Sequence, residues 1–585
     1  MANYLNWKFK LNKELNHTAS HLLATAVLKL FPNTKLGFGP TIDEGFYYDF
    51  DFEQPINDRD LLKIEKEMRN IAKQNLAMKK VGIEHYSFNH QPYKKELYDE
   101  YVKDGRNITF YALQNKDQKD IFVDLCAGGH IDQTKDVKNF KLLSIAGAYW
   151  RGDSNNKQLT RIYGTAWDTE EELANYLEIL KERKERDHRK IGADMEIFMF
   201  HPMSGQGFPI WLPNGMIIKN KLQSLVLKLD RKYGYHEVYT PPFGEESLYK
   251  TSGHLDHYRA DMFTPLIVEN ERLIPRPMTC PHHTLIYSAT RRSYRDLPLR
   301  LNEQSRLYRY EKSGALTGLE RVRAMELTEG HIFVARDKIH EEMMHQLKLI
   351  LEIQKILKLD LDYISLSLRD KDKSKFIDDE KMWVESEKAL KAVLDEAGLK
   401  YEIKYGEAAF YGPKIDFQVK TVLNREITVS TLQLDFSLPQ KFNLTYISND
   451  ETKIHPVLIH RGLIGTYERF ISILLEQSKG NLPFWLAPIQ AVIIPLGEKH
   501  QEYAKAIYEK LFNLNYDVKL DSRNESVAKK IRHWQMSKTK YQIVIGDSEI
   551  ENQTLTIRAY GEQTSTTYKV DELIEIFKKK VENYE

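Results

Sequence analysis

One charged helix near residue 180 limits the possible architecture more than any other stretch. In "DTEEELANYLEILKERKERDHRK", Thr169 and Glu172 have capping-box spacing, and Leu173, Leu177 and Leu180 form a narrow apolar stripe on an otherwise charged surface. The segment reads as a helical connector over residues 169–190, so the chain must fold as separate pieces on its two sides. Length agrees, because 585 residues at ~150 per domain predict about four domains. Residues 1–168 mix a helix over residues 14–31 with short aromatic strands. Residues 191–485 mix helices with β-rich stretches such as "YGYHEVYTPP" and "EITVSTLQLDFSL". From "WLAPIQAVIIPLG" to "VDELIEIFKKKVENYE", apolar strands alternate with amphipathic helices, which predicts a small α/β domain over 486–585.

Composition excludes several classes. A hydrophobic content of 42% supplies several cores, yet no apolar run reaches the ~18 residues of a membrane span. Two cysteines cannot build a disulfide framework. The opening "MANYLNWKFKLNKELNH" has neither the apolar core of a signal peptide nor the arginine-rich, acid-poor character of a transit peptide, which places the chain in the cytoplasm with no membrane partner. Lys+Arg 85 against Asp+Glu 84 gives no global nucleic-acid signal, so any RNA contact must come from local basic surfaces.

Both cysteines stand beside histidines. In "NHTASHLLATAVLKLF", apolar Ala19, Leu22, Leu23, Ala26, Val27 and Leu30 recur at helical spacing, and His17 and His21 share a face roughly opposite. Such a pair is either functional or part of a solvated face. Cys126 and His130 in "DLCAGGH" repeat the i,i+4 spacing, with Gly128 and Gly129 between them. Four N/S groups can hold zinc, or they can orient and deprotonate a water for ester hydrolysis, and spacing does not separate the two. The other thiol, Cys280, lies in "RPMTCPHHTLIY". No G-x-x-x-x-G-K-[ST] loop occurs, so an NTP would need another binding device.

The segments "HTASH", "GPTIDEGFYYDFDF", "FVDLCAGGH" and "AGAYWRGDSNNKQLTRIYGTAW" resemble the editing domain shared by threonyl- and alanyl-tRNA synthetases. In the threonyl branch, the resemblance implies hydrolysis of a mischarged ester without a metal, in a pocket lined by His17, His21, Lys94, Asp124, Cys126 and His130. Three further segments resemble the class II synthetase signatures: "YGYHEVYTPP", with Pro241 at the dimer-forming position, "RLYRYEKSGALTGLERVRAM", and "GLIGTYERFISILLE" with Glu468 and Arg469. The implied fold is multidomain α+β. An antiparallel sheet flanked by helices forms the catalytic core, an α+β editing domain precedes it, and an α/β anticodon-binding domain follows.

For ATP, taken with Mg2+, the resemblance implies Arg309 on the α-phosphate and Arg469 against the adenine and outer phosphates, with Glu311, Arg323 and Lys414 completing the catalytic set. His254, Tyr411, Gln433, Glu329 and Met325 would bind substrate. "MTCPHH", "GHIFV" and "LIHRGLIG" match the zinc-ligand segments, giving Cys280, His331 and His460, one Zn2+ per chain with an open fourth position. A zinc that takes the substrate hydroxyl rejects valine but not serine, which lacks only a methyl group worth ~1–3 kcal/mol. That shortfall gives the editing pocket its purpose. Asn524, Glu549 and Arg558 match the positions that read anticodon bases, whereas "QMSKTK" reads as a helix end and a solvated turn.

Some features depart from the family pattern. The resemblance begins at the editing domain, without the small ubiquitin-like domain common in bacterial relatives. In "RVRAMELTEGHIF", Met325 replaces an aromatic residue, Leu327 an amide and Glu329 an aspartate, and Thr428 stands where a glutamine is usual. The resemblance implies a homodimer that joins threonine to tRNA(Thr) through a threonyl-adenylate and hydrolyses seryl-tRNA(Thr). The alternatives are a catalytically weakened paralogue that binds tRNA or threonine for regulation, and an inhibitor-tolerant second copy.

Overall fold

Asn12 starts the first helix: its Oδ1 accepts from Leu15 N at 3.1 Å, and Lys13–Leu30 follows, close to the 14–31 expected. The computed structural model describes residues 11–153, 155–372 and 375–585. This helix departs from expectation in one respect, because every residue from Thr18 to Val27 is buried. The face bearing His17 and His21 is therefore not solvated. His21 is 1% exposed and packs edge-on against Phe122 of the strand Asp120–Leu125.

The opposite face meets the strand Gly45–Asp51. Its alternation buries Phe46, Tyr48 and Phe50 completely and turns Tyr47 the other way. Each such side chain contributes about 1.5–3 kcal/mol through burial. Asn16 fastens helix to sheet with a fully used amide: Nδ2 donates to Ala166 O at 2.7 Å and Oδ1 accepts from Ala166 N at 2.9 Å. The sheet runs Lys35–Leu36, Gly45–Asp51, Gln158–Trp167, Asn139–Tyr149, all antiparallel. A second, three-stranded sheet holds Ala77–Val81, Phe110–Gln114 and Asp120–Leu125.

The connector helix forms over Glu170–Arg186, and its capping box closes with Thr169 N donating to Glu172 Oε2 at 3.0 Å and Glu172 N to Thr169 Oγ1 at 3.2 Å. Its buried residues are Tyr176 and Ile179, while Leu173, Leu177 and Leu180 are half-buried. The stripe shifts because Tyr176 packs on Trp167, ring centroids 5.0 Å apart, an aromatic contact that a leucine count overlooks. The compact units divide at Glu182 and Arg183, within this helix.

The second unit is built on an eight-stranded sheet in the order His236–Glu237, Leu299–Tyr308, Ala324–Val334, Val457–Thr466, Glu426–Asp435, Lys414–Lys420, Tyr363–Leu368, Glu402–Tyr405. The central strands are antiparallel and the two edge pairings parallel. Only His236 and Glu237 of "YGYHEVYTPP" pair as strand, and Val238 N adds one more bond to Asn302 O at 3.0 Å before the chain reaches Pro241. Residues paired across strands share a face. The register therefore lays Leu301, His331, His460, Gln433 and Lys414 in one row over five strands. The helix Tyr467–Ser478 closes the last strand, with Thr466 Oγ1 accepting from Arg469 N at 3.2 Å.

Beyond Ala487 a five-stranded sheet runs Val518–Leu520, Ala491–Pro495, Tyr541–Ile545, Thr554–Ala559, Thr566–Lys569, parallel in its first pairings and antiparallel in its last. "QMSKTK" lies at the end of the helix Val527–Met536, as expected, although Thr539 beyond it is buried. Among the described residues, no helix is long and apolar enough to cross a membrane.

Candidate functional site

Two His/Cys clusters among the described residues bring their ligand atoms within 4.8 Å of one another. The first opens on a cavity of about 380 Å3 lined by His17, His21, Lys94, Asp124 and Cys126. Cys126 Sγ lies 3.3 Å from His17 Nε2 and 3.1 Å from His130 Nε2, and the His17 and His130 rings stack at 4.1 Å. The tight return between Cys126 and His130 needs Gly128 at φ 92°, where a Cβ would also strike the Tyr111 hydroxyl.

Hydrogen-bond partners fix the tautomers. His17 Nδ1 is 3.0 Å from Gly128 O, so it carries the proton and Nε2 is a lone pair. Thr18 Oγ1 donates to Glu14 O and thus accepts from His130 Nδ1 at 3.4 Å, leaving His130 Nε2 a lone pair as well. One thiol hydrogen can satisfy only one of these two lone pairs, and the other is left to accept from water. Burial keeps the cluster neutral. It pulls His17 down, His21 well down and His130 to about 2, and it pushes the Cys126 thiol up to about 12. Behind them Lys94 Nζ and Asp124 Oδ1 form a buried ion pair at 2.6 Å, and Tyr48, which the sequence reading missed, donates to Asp124 Oδ2 at 2.6 Å. Nothing in the local run "GFYYDFDF" sets its hydroxyl apart from that of Tyr47.

The second cluster grows from the row across the eight-stranded sheet. His331 Nε2 is 3.1 Å from His460 Nδ1, and Cys280, at the start of the helix Cys280–Ser288, joins them. Supporting groups hold each ring: Asp435 Oδ2 lies 3.0 Å from His460 Nε2, and His283 Nδ1 lies 2.9 Å from His331 Nδ1. Glu303 then accepts from His283 Nε2 at 3.2 Å and from Arg276 at 2.9 Å. The sequence reading missed His283, Glu303 and Asp435. His283, three residues after Cys280, was the one with a local signal.

The donor set fits zinc. One sulfur and two imidazole nitrogens converge, and each ring nitrogen facing away is engaged by a carboxylate or a carboxylate-bound histidine, the usual arrangement around ligating histidines. Burial lifts the Cys280 thiol, helped by the Glu329 and Asp435 carboxylates, and pulls His331 well down with His283 and His460 contributing. A divalent cation reverses the thiol's preference. Among the described residues, Glu329 Oε2 is buried and has no hydrogen-bond partner. Tyr411 donates to Gln433 Oε1 at 2.6 Å and stacks toward His460 at 5.0 Å. His254 lies 3.8 Å from Cys280 Sγ, and burial pulls it down to about 4. Lys414 is paired with Asp416 at 2.6 Å.

Arg309 and Arg469 lie near enough to repel one another. Burial, with Arg309 nearby, pulls Arg469 below the ordinary arginine range, and Arg469 Nε donates to Glu320 O at 3.1 Å. Glu311 accepts from Arg321 at 2.8 Å and its carbonyl from Arg323 at 2.8 Å. Met325 is buried with Leu307, Val322 and Leu327. Thr428 bonds Gln418 Oε1 at 3.1 Å, across its own sheet.

In the last domain Asn524 is exposed in a bend and Arg558 lies in the strand Thr554–Ala559, its Nε donating to Glu562 O at 2.7 Å. Glu549 is engaged locally, accepting from Gly546 N at 2.8 Å and Thr556 Oγ1 at 2.7 Å.

An antiparallel sheet with neighbouring arginines and with both histidines of a Cys/His2 cluster on its central strands, followed by a five-stranded α/β domain, defines a class II aminoacyl-tRNA synthetase. Residues 262–478 match the tRNA synthetase class II core domain (G, H, P, S and T), and residues 490–580 match an anticodon binding domain. Residues 108–163 match the threonyl and alanyl tRNA synthetase second additional domain. A threonine–tRNA ligase of Mycoplasmopsis pulmonis is 59% identical over 574 residues, covering 98% of each chain. One from Ureaplasma parvum serovar 3 is 49% identical over 98% of this chain and 99% of the relative. The RNA binding domain of threonyl-tRNA synthetase from Cryptosporidium parvum Iowa II superposes with a TM-score of 0.64 at 36% identity, over 67% of this chain and 98% of its own. The chain belongs to the threonine–tRNA ligase family.

Proposed function

We propose that this chain activates threonine with Mg2+ and ATP, transfers it to tRNA(Thr), and hydrolyses seryl-tRNA(Thr) in the pocket around Cys126. The reading is carried by the Cys280/His331/His460 cluster set in register with Gln433 on a class II sheet, in a chain whose relatives are threonine–tRNA ligases along nearly their full length. Cys280, His331 and His460 would hold one zinc, which when bound supplies an open position for the amino and hydroxyl groups of the substrate. Glu329 and Tyr411 stand beside it to orient those groups. The threonine carboxylate attacks the α-phosphate, pyrophosphate leaves, and the terminal ribose hydroxyl then attacks the adenylate carbonyl and releases AMP. Arg309 and Arg469 offset the charge that develops on the phosphates.

In the first unit, a water hydrogen-bonded to the His17 Nε2 lone pair attacks the seryl ester carbonyl and gives its proton to that imidazole, the bond from the carbonyl carbon to the ribose oxygen breaks, and the ribose oxygen takes the proton as serine leaves. Cys126 keeps its proton, which burial holds on the sulfur, and donates it to His130 Nε2 at 3.1 Å, leaving the His17 lone pair for the water. Asn524, Glu549 and Arg558 would read the anticodon, Glu549 through acceptor capacity left beside its capping bonds. The enzyme acts in the cytoplasm as a homodimer joined near Pro241. The comparisons give no support to a regulatory paralogue or a second copy. Threonine-dependent exchange of pyrophosphate into ATP tests the reading, and no exchange at saturating ATP and threonine would overturn it.

A further inference from the structure

The cavity beside Cys126 shares a wall with a second one. Phe38, Leu97 and Tyr101 line both, and each measures about 380 Å3. We propose that the second cavity, walled by Tyr47, Arg106, Arg151 and Arg161, is a subsite for the single-stranded RNA that leads into the editing pocket. It takes the backbone phosphates and the base preceding the esterified terminal nucleoside. The assignment rests on the editing reading of the first cavity.

Connectivity requires such a path. A terminal nucleoside carrying an aminoacyl ester remains joined through its 5′-phosphate to the next nucleotide, so a pocket that encloses the nucleoside must open where the strand can leave. The two cavities adjoin at Phe38, Leu97 and Tyr101, and Phe38, 44% exposed, offers a surface there for a base to stack against as the strand passes over it. Stacking of this kind is worth ~1–3 kcal/mol per base and is indifferent to sequence.

The second cavity has the matching chemistry. Three guanidiniums line it beside the carboxylates of Asp49 and Glu100, and each is paired with a carboxylate that an incoming anion would exchange for. Arg161 is already fixed: it grips Asp49 at 2.6 and 2.8 Å and lies 3.7 Å over the Tyr47 ring, which makes a rigid flat floor on the side of the strand away from the core. Arg106 and Arg151 are held more weakly, Arg106 by Asp104 at 2.8 Å and Arg151 by Glu96 at 3.1 Å and by Glu100. These pairs are solvent-exposed and worth ~0–1 kcal/mol each. A phosphodiester, whose two free oxygens accept from one guanidinium in bidentate geometry, can replace them.

The test compares two substrates, seryl-tRNA and adenosine esterified with serine, which is too short to reach the subsite. In the full chain, Arg106→Ala/Arg151→Ala should raise the KM for seryl-tRNA about tenfold at low salt and leave seryl-adenosine hydrolysis unchanged. The slope of log kcat/KM against log salt should become shallower by about 1.4, ~0.7 for each single-strand phosphate that the variant no longer neutralises. Equal reductions on both substrates would make the arginines structural and overturn the proposal, as would wild-type behaviour on both. If the wild type hydrolyses neither substrate and His17→Ala/His21→Ala matches it, the editing reading has failed and the subsite falls with it.

Discussion

Replacing Lys94 with methionine should unsettle the first unit without touching threonine activation. Lys94 and Asp124 are each 2% exposed and lie 2.6 Å apart. Methionine nearly fills the lysine volume, so the loss isolates the charge. Removing one partner of a buried pair costs ~3–5 kcal/mol, because the remaining charge is left uncompensated. Two features place this case at the lower end: Tyr48 still donates to Asp124 at 2.6 Å, and the carboxylate borders a cavity of about 380 Å3 that water can enter. The expected loss is ~3 kcal/mol, which for a unit of this size lowers its melting transition by ~6–12 °C. Calorimetry of the full chain reads the shift, and seryl-tRNA deacylation should fall while pyrophosphate exchange holds. In Lys94→Met/Asp124→Leu neither charge remains, and at least ~1 kcal/mol should return. A single variant within ~1 kcal/mol of wild type, or a double variant worse than the single, would refute the account.

Replacing His17 and His21 with alanine should reduce seryl-tRNA deacylation ~10²–10⁴-fold with threonine activation nearly unchanged, measured by deacylation and exchange assays on the same preparation. Burial holds His21 and His130 below their unfolded value, so the unfolded chain binds the extra protons. Their contribution is complete above about pH 6.5 and falls as pH drops, by up to ~1.4 kcal/mol per pH unit for each histidine, and urea midpoints at pH 7.5, 6 and 5 check this. The Cys126 thiol, pushed to about 12, should resist iodoacetamide at pH 7.5 in the folded chain and react after denaturation. Metal analysis should find one zinc per chain, absent from His460→Ala, and a second zinc in residues 1–170 would contradict the neutral-cluster reading. ATP should bind more weakly than in relatives with an aromatic residue at the Met325 position, and Met325→Phe should lower the KM for ATP.

Local patterns made much of this protein legible. Helical spacing placed the first helix to within a residue at each end, capping spacing placed the connector, and strand–helix alternation announced the last domain, because each depends on periodicities of a few residues. Motif spacing also selected the groups that later converge, since Cys126 and His130, or His17 and His21, sit on a shared local turn. The sequence could not say which surfaces those groups would meet. The His17/His21 face looked free on its own helix, and only the strand carrying Phe122 and Asp124, a hundred residues away, turned it into a buried pocket with depressed histidines. Likewise His331 and His460 become neighbours through cross-strand register, and His283, Glu303, Asp435 and Tyr48 acquire roles only where distant strands bring them against the first groups. Periodicity is a property of the chain near each residue, whereas burial, proton affinity and supporting hydrogen bonds belong to the packed surfaces, and only the tertiary structure decides those.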